Sequence, residues 1–173
     1  MAINLSSFVR DIPDYPKPGI VFKDITPLLQ DACALRQSIL DLAEIAKRYD
    51  VTHIAGIESR GFIFGTALAI ELGLGFIPIR KPGKLPWKTF AESYDLEYGS
   101  DKLEIHVDAS AAGERILLID DLLATGGTAE AAIKLIRHTG AEVMACCVVL
   151  ELEFLGGRQK MHGVPTHSLI KIS

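Results

Sequence analysis

Asp120-Asp121-Leu122-Leu123-Ala124-Thr125-Gly126-Gly127-Thr128, entered through the apolar run Ile116-Leu117-Leu118-Ile119, decides how this chain is read. The apolar run has the length and composition of a strand buried on both faces. Two adjacent carboxylates end it, a loop of small residues follows, and a helical pattern over 129–139 stops at Gly140. Gly126 and Gly127 allow backbone N–H groups to approach an anion closely, and the start of a helix favours the same anion through its free N–H groups and dipole. The hydroxyls of Thr125 and Thr128 add donors. The carboxylates at the other end suit the hydroxyls of a sugar or a hydrated metal. A ribose 5-phosphate with magnesium nearby satisfies both ends. A plain helix start with a Thr cap and a Gly turn accounts for the loop. It leaves unexplained an acidic pair at the C-terminal end of a strand, where parallel sheets place their ligands. The stretch is not a P-loop, because no Lys follows the second glycine.

Upstream, the same unit recurs. Residues 52–57 read as a strand central in a sheet, followed by Glu58-Ser59-Arg60-Gly61 and an almost wholly apolar helix over 62–72, closed by Gly73. Arg60 fits either a surface ion pair or a diphosphate contact, whose oxygens match its guanidinium fork. Residues 75–80 form a third strand. Arg80-Lys81-Pro82-Gly83-Lys84-Leu85-Pro86-Trp87-Lys88 is basic and turn-rich, as a solvated loop or an anion-binding loop would be. Residues 89–98 and 102–107 alternate well enough for a hairpin turned by Gly99-Ser100-Asp101, and its many charges predict a flap that stands off the core.

At the start of the chain a weak short helix is expected over 5–12. Pro13, Pro16, Pro18 and Gly19 then exclude regular structure. Residues 16–27 read as a stiff, extended arm with apolar anchors. Asp31 is a candidate N-cap for a helix carrying Leu35, Ile39, Leu42, Ala46 and Tyr49 at helical spacing. Beyond Gly140, residues 143–152 form a long apolar strand, a short helix ends near Lys160, and 167–172 is a peripheral strand. Alternating strand and helix patterns give an α/β class, a mostly parallel twisted sheet with helices on both faces.

The 173 residues suit one domain with a single substantial core, and no boundary or repeat divides 1–173. With 22 acidic against 18 basic residues, the net charge of −4 disfavours nucleic-acid and membrane partners. No apolar segment is long enough to span a bilayer, and the first residues lack the pattern of a secretory signal. Cys33, Cys146 and Cys147 show neither zinc-ligand spacing nor a disulfide framework, and read as reduced core or near-core thiols of a cytoplasmic protein. The five histidines lack ligand spacing, and only His106, in the hairpin, is worth following.

Residues 120–128 resemble the phosphoribosyl pyrophosphate motif of the type I phosphoribosyltransferases, and Leu122-Leu123-Ala124 is similar to the filling found in adenine-using members of that family. The resemblance implies that family's fold, with a small hood and a flexible β-hairpin flap. It implies transfer of the 5-phosphoribosyl group from phosphoribosyl pyrophosphate to adenine, giving AMP and pyrophosphate in purine salvage, in a homodimer. The implied roles follow residue by residue. Asp120 and Asp121 hold the ribose hydroxyls, and Ala124, Thr125, Gly126, Gly127 and Thr128 hold the 5-phosphate, beside Leu122. Ser59, Arg60 and Lys84, assisted by Arg80 and Lys81, hold the diphosphate. Ser-Arg-Gly resembles a loop that in the family commonly contains a non-proline cis peptide. Residues 16–27 resemble the base-binding segment within an arm over 1–30, placing Val21, Phe22 and Lys23 at the adenine. Residues 93–99 resemble the catalytic loop of a flap over 81–107, making Glu97 the acid/base residue and Tyr98 a residue that closes the site. Magnesium is expected to be held mainly by substrate and water, with no protein metal site.

Three alternatives remain open on sequence: a relative using hypoxanthine, guanine, xanthine or orotate, a regulator that binds phosphoribosyl pyrophosphate without catalysis, and a fragment of a phosphoribosyl pyrophosphate synthetase. The segment around Val21-Phe22-Lys23 argues for adenine. The acidic chain has no basic face or added module for a DNA-binding regulator, and no second nucleotide-binding half for a synthetase.

Overall fold

Ile116 and Leu118 alternate with Leu117 and Ile119, and the fold gives each pair its own hydrophobic layer. A computed structural model describes residues 3–95 and 99–173. Along the chain run β1 (Arg10–Pro13), β2 (Val21–Asp24), α1 (Thr26–Gln30), α2 (Ala32–Ala46), β3 (His53–Ile57), α3 (Arg60–Leu72), β4 (Gly75–Ile79), β5 (Thr89–Asp95) and β6 (Ser100–His106). They are followed by β7 (Arg115–Leu123), α4 (Gly127–His138), β8 (Glu142–Leu152) and β9 (Thr166–Ile172). Short 3-10 turns lie at Leu5–Phe8, Glu153–Leu155 and Gly157–Met161.

The central sheet has the order β4-β3-β7-β8-β9 and is parallel throughout. The middle strand is therefore β7, and β3 lies one place from it. Ile116 and Leu118 pack with Cys146, Val148 and the inner face of α4. Leu117 and Ile119 pack on the other side with Leu42 of α2 and with Phe64 and Leu68 of α3. Both faces are covered by helices, so β7 and β8 carry no alternating polar pattern. Asp31 caps α2 as the spacing predicts, its carboxylate accepting the Ala34 N–H at 2.8 Å. Gly73 ends α3 at φ 68°, a conformation glycine adopts without steric cost. Among the described residues no helix is long and apolar enough to cross a membrane.

The chain departs from the sequence reading in four places. The helix expected over 5–12 is a 3-10 turn capped by Asn4, and the chain then extends into β1, which pairs antiparallel with β2. The segment to Pro27 does not stay extended, because Pro27 sits in the first turn of α1, where its missing N–H costs nothing. The hairpin does not stand clear of the core. Its register sets Phe90, Tyr94, Leu103 and Ile105 on one face, and Leu103 and Ile105 are fully buried against the α4 side. Cys33 is exposed in the first turn of α2, whereas Cys146 and Cys147 are buried, and burial pushes both of their thiols well up. Gly99 and the strands β5 and β6 form the hairpin as far as it is described. Leu96, Glu97 and Tyr98 lie outside the described residues.

Candidate active site

Among the sheet strands, β3 leads through α3 to β4 on one side, while β7 leads through α4 to β8 on the other. The order reverses between β3 and β7, and in such sheets the crevice beyond the strand ends at that reversal is the ligand site. Two loops meet there, 58–61 after β3 and 120–128 around the end of β7. Their approach depends on Gly61: a Cβ there would lie 2.9 Å from Asp120 Oδ1 and 3.2 Å from both Asp120 Cα and the Ile119 carbonyl oxygen. Arg60 consequently reaches Asp121, Nε to Oδ2 2.8 Å. A cleft of about 200 Å³ lies between the loops, lined by Arg60, Asp120, Asp121, Leu122, Thr125 and Thr128 among others.

The loop 124–128 has the form its glycines foretold. Gly126 is left-handed at φ 85°, and α4 starts at Gly127 with no side-chain cap. The first N–H groups of α4 are thus left for an anion. Glu130 stands in that first turn, but His162 Nε2 at 2.7 Å and Lys134 Nζ at 3.2 Å engage its carboxylate. Those partners hold it below the ordinary carboxylate range, the His162 hydrogen bond most of all. The two aspartates differ. The Asp121 side chain is 10% exposed and ion-paired with Arg60. Asp120 accepts the Asp121 N–H at 2.8 Å, and burial followed by the neighbouring Asp121 charge pushes its carboxyl well above the usual range.

Arg80 and Lys84 are brought to the same end of the sheet, on a residue that the sequence reading passed over. Glu58, its side chain 7% exposed, accepts Arg80 Nε at 2.8 Å, Lys84 Nζ at 2.6 Å and the Lys81 N–H at 3.1 Å. Burial raises its pKa, but these donors outweigh burial and hold the carboxyl below its ordinary value. The Glu58–Ser59 peptide is cis. Lys81 turns instead to the hairpin, where its ammonium meets Asp101 and the Tyr94 hydroxyl. The only sequence signal for Glu58 was a carboxylate at the end of a buried strand, the same signal that singled out Asp120. His106 Nε2 accepts the Trp87 N–H at 3.3 Å, a loop contact.

Of the three predicted base contacts, Phe22 alone is brought to the cleft. Its ring lies 5.8 Å from Arg60 Cζ and edge-on to Tyr15, at 5.3 Å between centroids. Ile12, Tyr15, Phe22 and Asp24 line an adjoining hollow of about 240 Å³. Alternation along β2 turns Val21 and Lys23 the other way: Val21 is exposed, and Lys23 pairs with Asp11 at 2.7 Å. Since β2 pairs, among the described residues, only with β1, its other edge offers main-chain donors and acceptors. The hairpin joins the site at its base, where the Asp95 carbonyl oxygen lies 3.2 Å from the position a Cβ on Gly127 would take.

Comparison with known proteins bears on this geometry. The family model for the phosphoribosyl transferase domain matches residues 27–163. A protein of Methylococcus capsulatus named adenine phosphoribosyltransferase is 55% identical over 166 residues, covering 96% of this chain and 97% of its own. Its namesake in Maridesulfovibrio salexigens is 54% identical over 170 residues, covering 98% and 100%. The crystal structure of adenine phosphoribosyltransferase from Thermoanaerobacter pseudethanolicus superposes with a TM-score of 0.94 at 50% identity, covering 97% of this chain and 98% of that one. The enzyme from Saccharomyces cerevisiae, complexed with an imino-altritol bisphosphate and adenine, superposes at 0.90 with 40% identity, covering 95% and 96%.

Proposed function

This chain belongs to the phosphoribosyl transferase domain family, and from that premise we infer that it transfers the 5-phosphoribosyl group of phosphoribosyl pyrophosphate to adenine, giving AMP and pyrophosphate. The observation that carries the reading is the meeting of Arg60, Asp121 and the 124–128 loop around one cleft at the strand-order reversal. In the reaction the bond from the anomeric carbon to the diphosphate oxygen breaks, and a ring nitrogen of adenine bonds to that carbon.

The loop from Ala124 to Thr128 grips the 5-phosphate through its N–H groups and hydroxyls. Asp120 and Asp121 accept the ribose hydroxyls. Arg60 exchanges Asp121 for the diphosphate, and Lys84 and Arg80 exchange Glu58 for it, with Ser59 beside them. Fixing both phosphate ends holds the anomeric carbon under the base, chiefly a positioning effect. The negative charge of the aspartates lies near the cation that develops there. Phe22 supplies a flat apolar face for the purine, and the free edge of β2, at Val21 and Lys23, reads the rim of the base. Glu97 exchanges a proton with the purine ring, and Tyr98 helps close the flap over 81–107, excluding water. The arm over 1–30, the flap and the sheet act as one catalytic unit.

Magnesium fits this donor set. Among the described residues no group of three or more ligating side chains gathers. Two adjacent carboxylates, Asp120 and Asp121, are what an ion that keeps its waters and binds through substrate phosphates requires. Held with the substrate beside Asp120 and Asp121, magnesium would supply charge neutralisation for the departing diphosphate. The protein acts as a cytoplasmic homodimer in this reading. Ile63 and Ile70, seven residues apart on one side of α3, are 41% and 77% exposed and suit a self-complementary contact. Sedimentation should then give about twice the 18.8 kDa chain mass.

The function is tested by pyrophosphate release from phosphoribosyl pyrophosphate and magnesium with each base supplied separately. Release with adenine alone, matched by AMP, is expected. Release with hypoxanthine, guanine, xanthine or orotate instead would overturn the base assignment.

A further inference from the structure

The 5-phosphate loop rests on a second glycine, Gly157. A Cβ on Gly126 would overlap the Gly157 carbonyl oxygen, and a Cβ on Gly157 would overlap the Ala124 carbonyl oxygen. The two backbones therefore touch with no side chain between them, and the turn Gly157–Met161 forms the floor of the loop. What holds that turn is the next residue. Arg158 Nε donates to Glu151 Oε1 at 2.6 Å and Nη2 to Glu151 Oε2 at 2.7 Å. Nη1 donates to the Thr166 carbonyl at 2.6 Å, and Nη2 also reaches Ser168 Oγ at 3.1 Å. The Ser168 hydroxyl in turn donates to Glu151. Glu151 is 3% exposed and sits in register beside Leu123, the residue before Ala124. One guanidinium thus joins β8, β9 and the turn beneath the loop. Neither Arg158 nor Glu151 lines the cleft.

We propose that the Arg158–Glu151 pair is a positioning device for phosphoryl recognition: it presses Gly157 against Gly126 and so sets the direction in which the N–H groups of the loop point. This inference rests on the assignment of 124–128 to the 5-phosphate. An ion pair that buries its carboxylate, as this one does while Arg158 stays 40% exposed, is a poor way to gain stability compared with apolar packing, but its planar, bidentate geometry fixes orientation. Lysine cannot replace the arginine, because an ammonium offers no fork to span a carboxylate and a carbonyl on different strands.

The test is calorimetric titration with ribose 5-phosphate and, separately, with magnesium pyrophosphate. Four proteins are compared: the native chain, the double variant Glu151→Gln/Arg158→Met, the single variant Arg158→Lys and, for the loop itself, Thr128→Val. The double variant removes both charges together, so no unpaired carboxylate is left buried. It should bind ribose 5-phosphate at least ~10-fold more weakly, since small misplacements of positioning groups carry penalties of this order. Its pyrophosphate affinity should stay within about twofold, because the diphosphate residues lie across the cleft. Arg158→Lys should show the same selective loss and supplies the comparison should the double variant fail to fold. Equal losses for both ligands would overturn the proposal in favour of a general structural role. Unchanged ribose 5-phosphate binding in the Arg158 variants with a clear loss in Thr128→Val would overturn it while sparing the loop assignment. No loss in any variant would overturn both.

Discussion

Replacing Gly61 with alanine should separate activity from stability. The added methyl would meet Asp120 Oδ1 at 2.9 Å and backbone atoms of Ile119 and Asp120 at 3.2 Å. The carboxylate oxygen cannot swing aside without giving up the Asp121 N–H it accepts at 2.8 Å, and the backbone atoms belong to the central strand of the sheet. The start of α3 must therefore back away, taking Arg60 from Asp121. Overpacking of this kind costs about 1–3 kcal/mol, while alanine in place of glycine returns about 1 kcal/mol of helix propensity. The net is a loss of roughly 0–2 kcal/mol, and for a chain of this size the melting temperature should fall by no more than about 8 °C. A displacement near 1 Å in a positioning group costs about 100-fold in rate, equivalent to ~2.7 kcal/mol of transition-state stabilisation. Thermal melting paired with steady-state kcat/KM for phosphoribosyl pyrophosphate makes the comparison. A folded Gly61→Ala protein with native kcat/KM would refute the claim that the close approach of the two loops assembles the site.

Other substitutions probe single groups. Asp120→Asn should lower kcat by ~100-fold or more and yet raise stability at neutral pH. The raised folded-state pKa of Asp120 makes its ionisation unfavourable to folding, a penalty that develops as the pH climbs from the ordinary value of 3.8 through the raised one; urea midpoints lower than native at pH 7 would contradict this. Glu58→Gln should cost about 1 kcal/mol at neutral pH, a figure reduced for the half-exposed Lys84. Because the folded pKa of Glu58 is depressed, the native advantage is complete above its ordinary value of 4.5 and shrinks as the pH falls below it, so a difference in urea midpoint that stays constant down to about pH 3 would count against the clamp. A thiol reagent at neutral pH should modify Cys33 in the native protein and reach Cys146 and Cys147 only after unfolding, whereas rapid modification of either buried thiol would contradict the packing of β8.

The sequence made the core of the site legible because its strongest signals are local. A strand buried on both faces followed by Asp120-Asp121 and Gly126-Gly127 needs no tertiary information to be read. Asp31 as a cap and Gly73 as a helix end were legible for the same reason. Glu58 was not, because its meaning comes from Arg80 and Lys84, which only the pairing of β3 with β4 brings to it. Gly157 carries no local signal at all, since its function is to leave room for another backbone. The alternation of the hairpin was imperfect in sequence, and its many charges misled in one respect: Leu103 and Ile105 share a face with Glu92 and Asp101 and still anchor the hairpin to the core. Val21, Phe22 and Lys23 were grouped by resemblance to a base-binding segment; what the resemblance did not give is that the two-residue period of a strand turns the side chains of Val21 and Lys23 away from that of Phe22.

The central claim is that one cleft between the ends of β3 and β7 binds the whole phosphoribosyl group, with the base against the N-terminal arm. A crystal structure of the protein with AMP and magnesium pyrophosphate tests it most directly. The 5-phosphate should lie on the N–H groups of 124–128, the ribose hydroxyls on Asp120 and Asp121, the pyrophosphate between Arg60 and Lys84, and the adenine against Phe22. AMP bound with its phosphate away from that loop, or its base away from Phe22, would contradict the account.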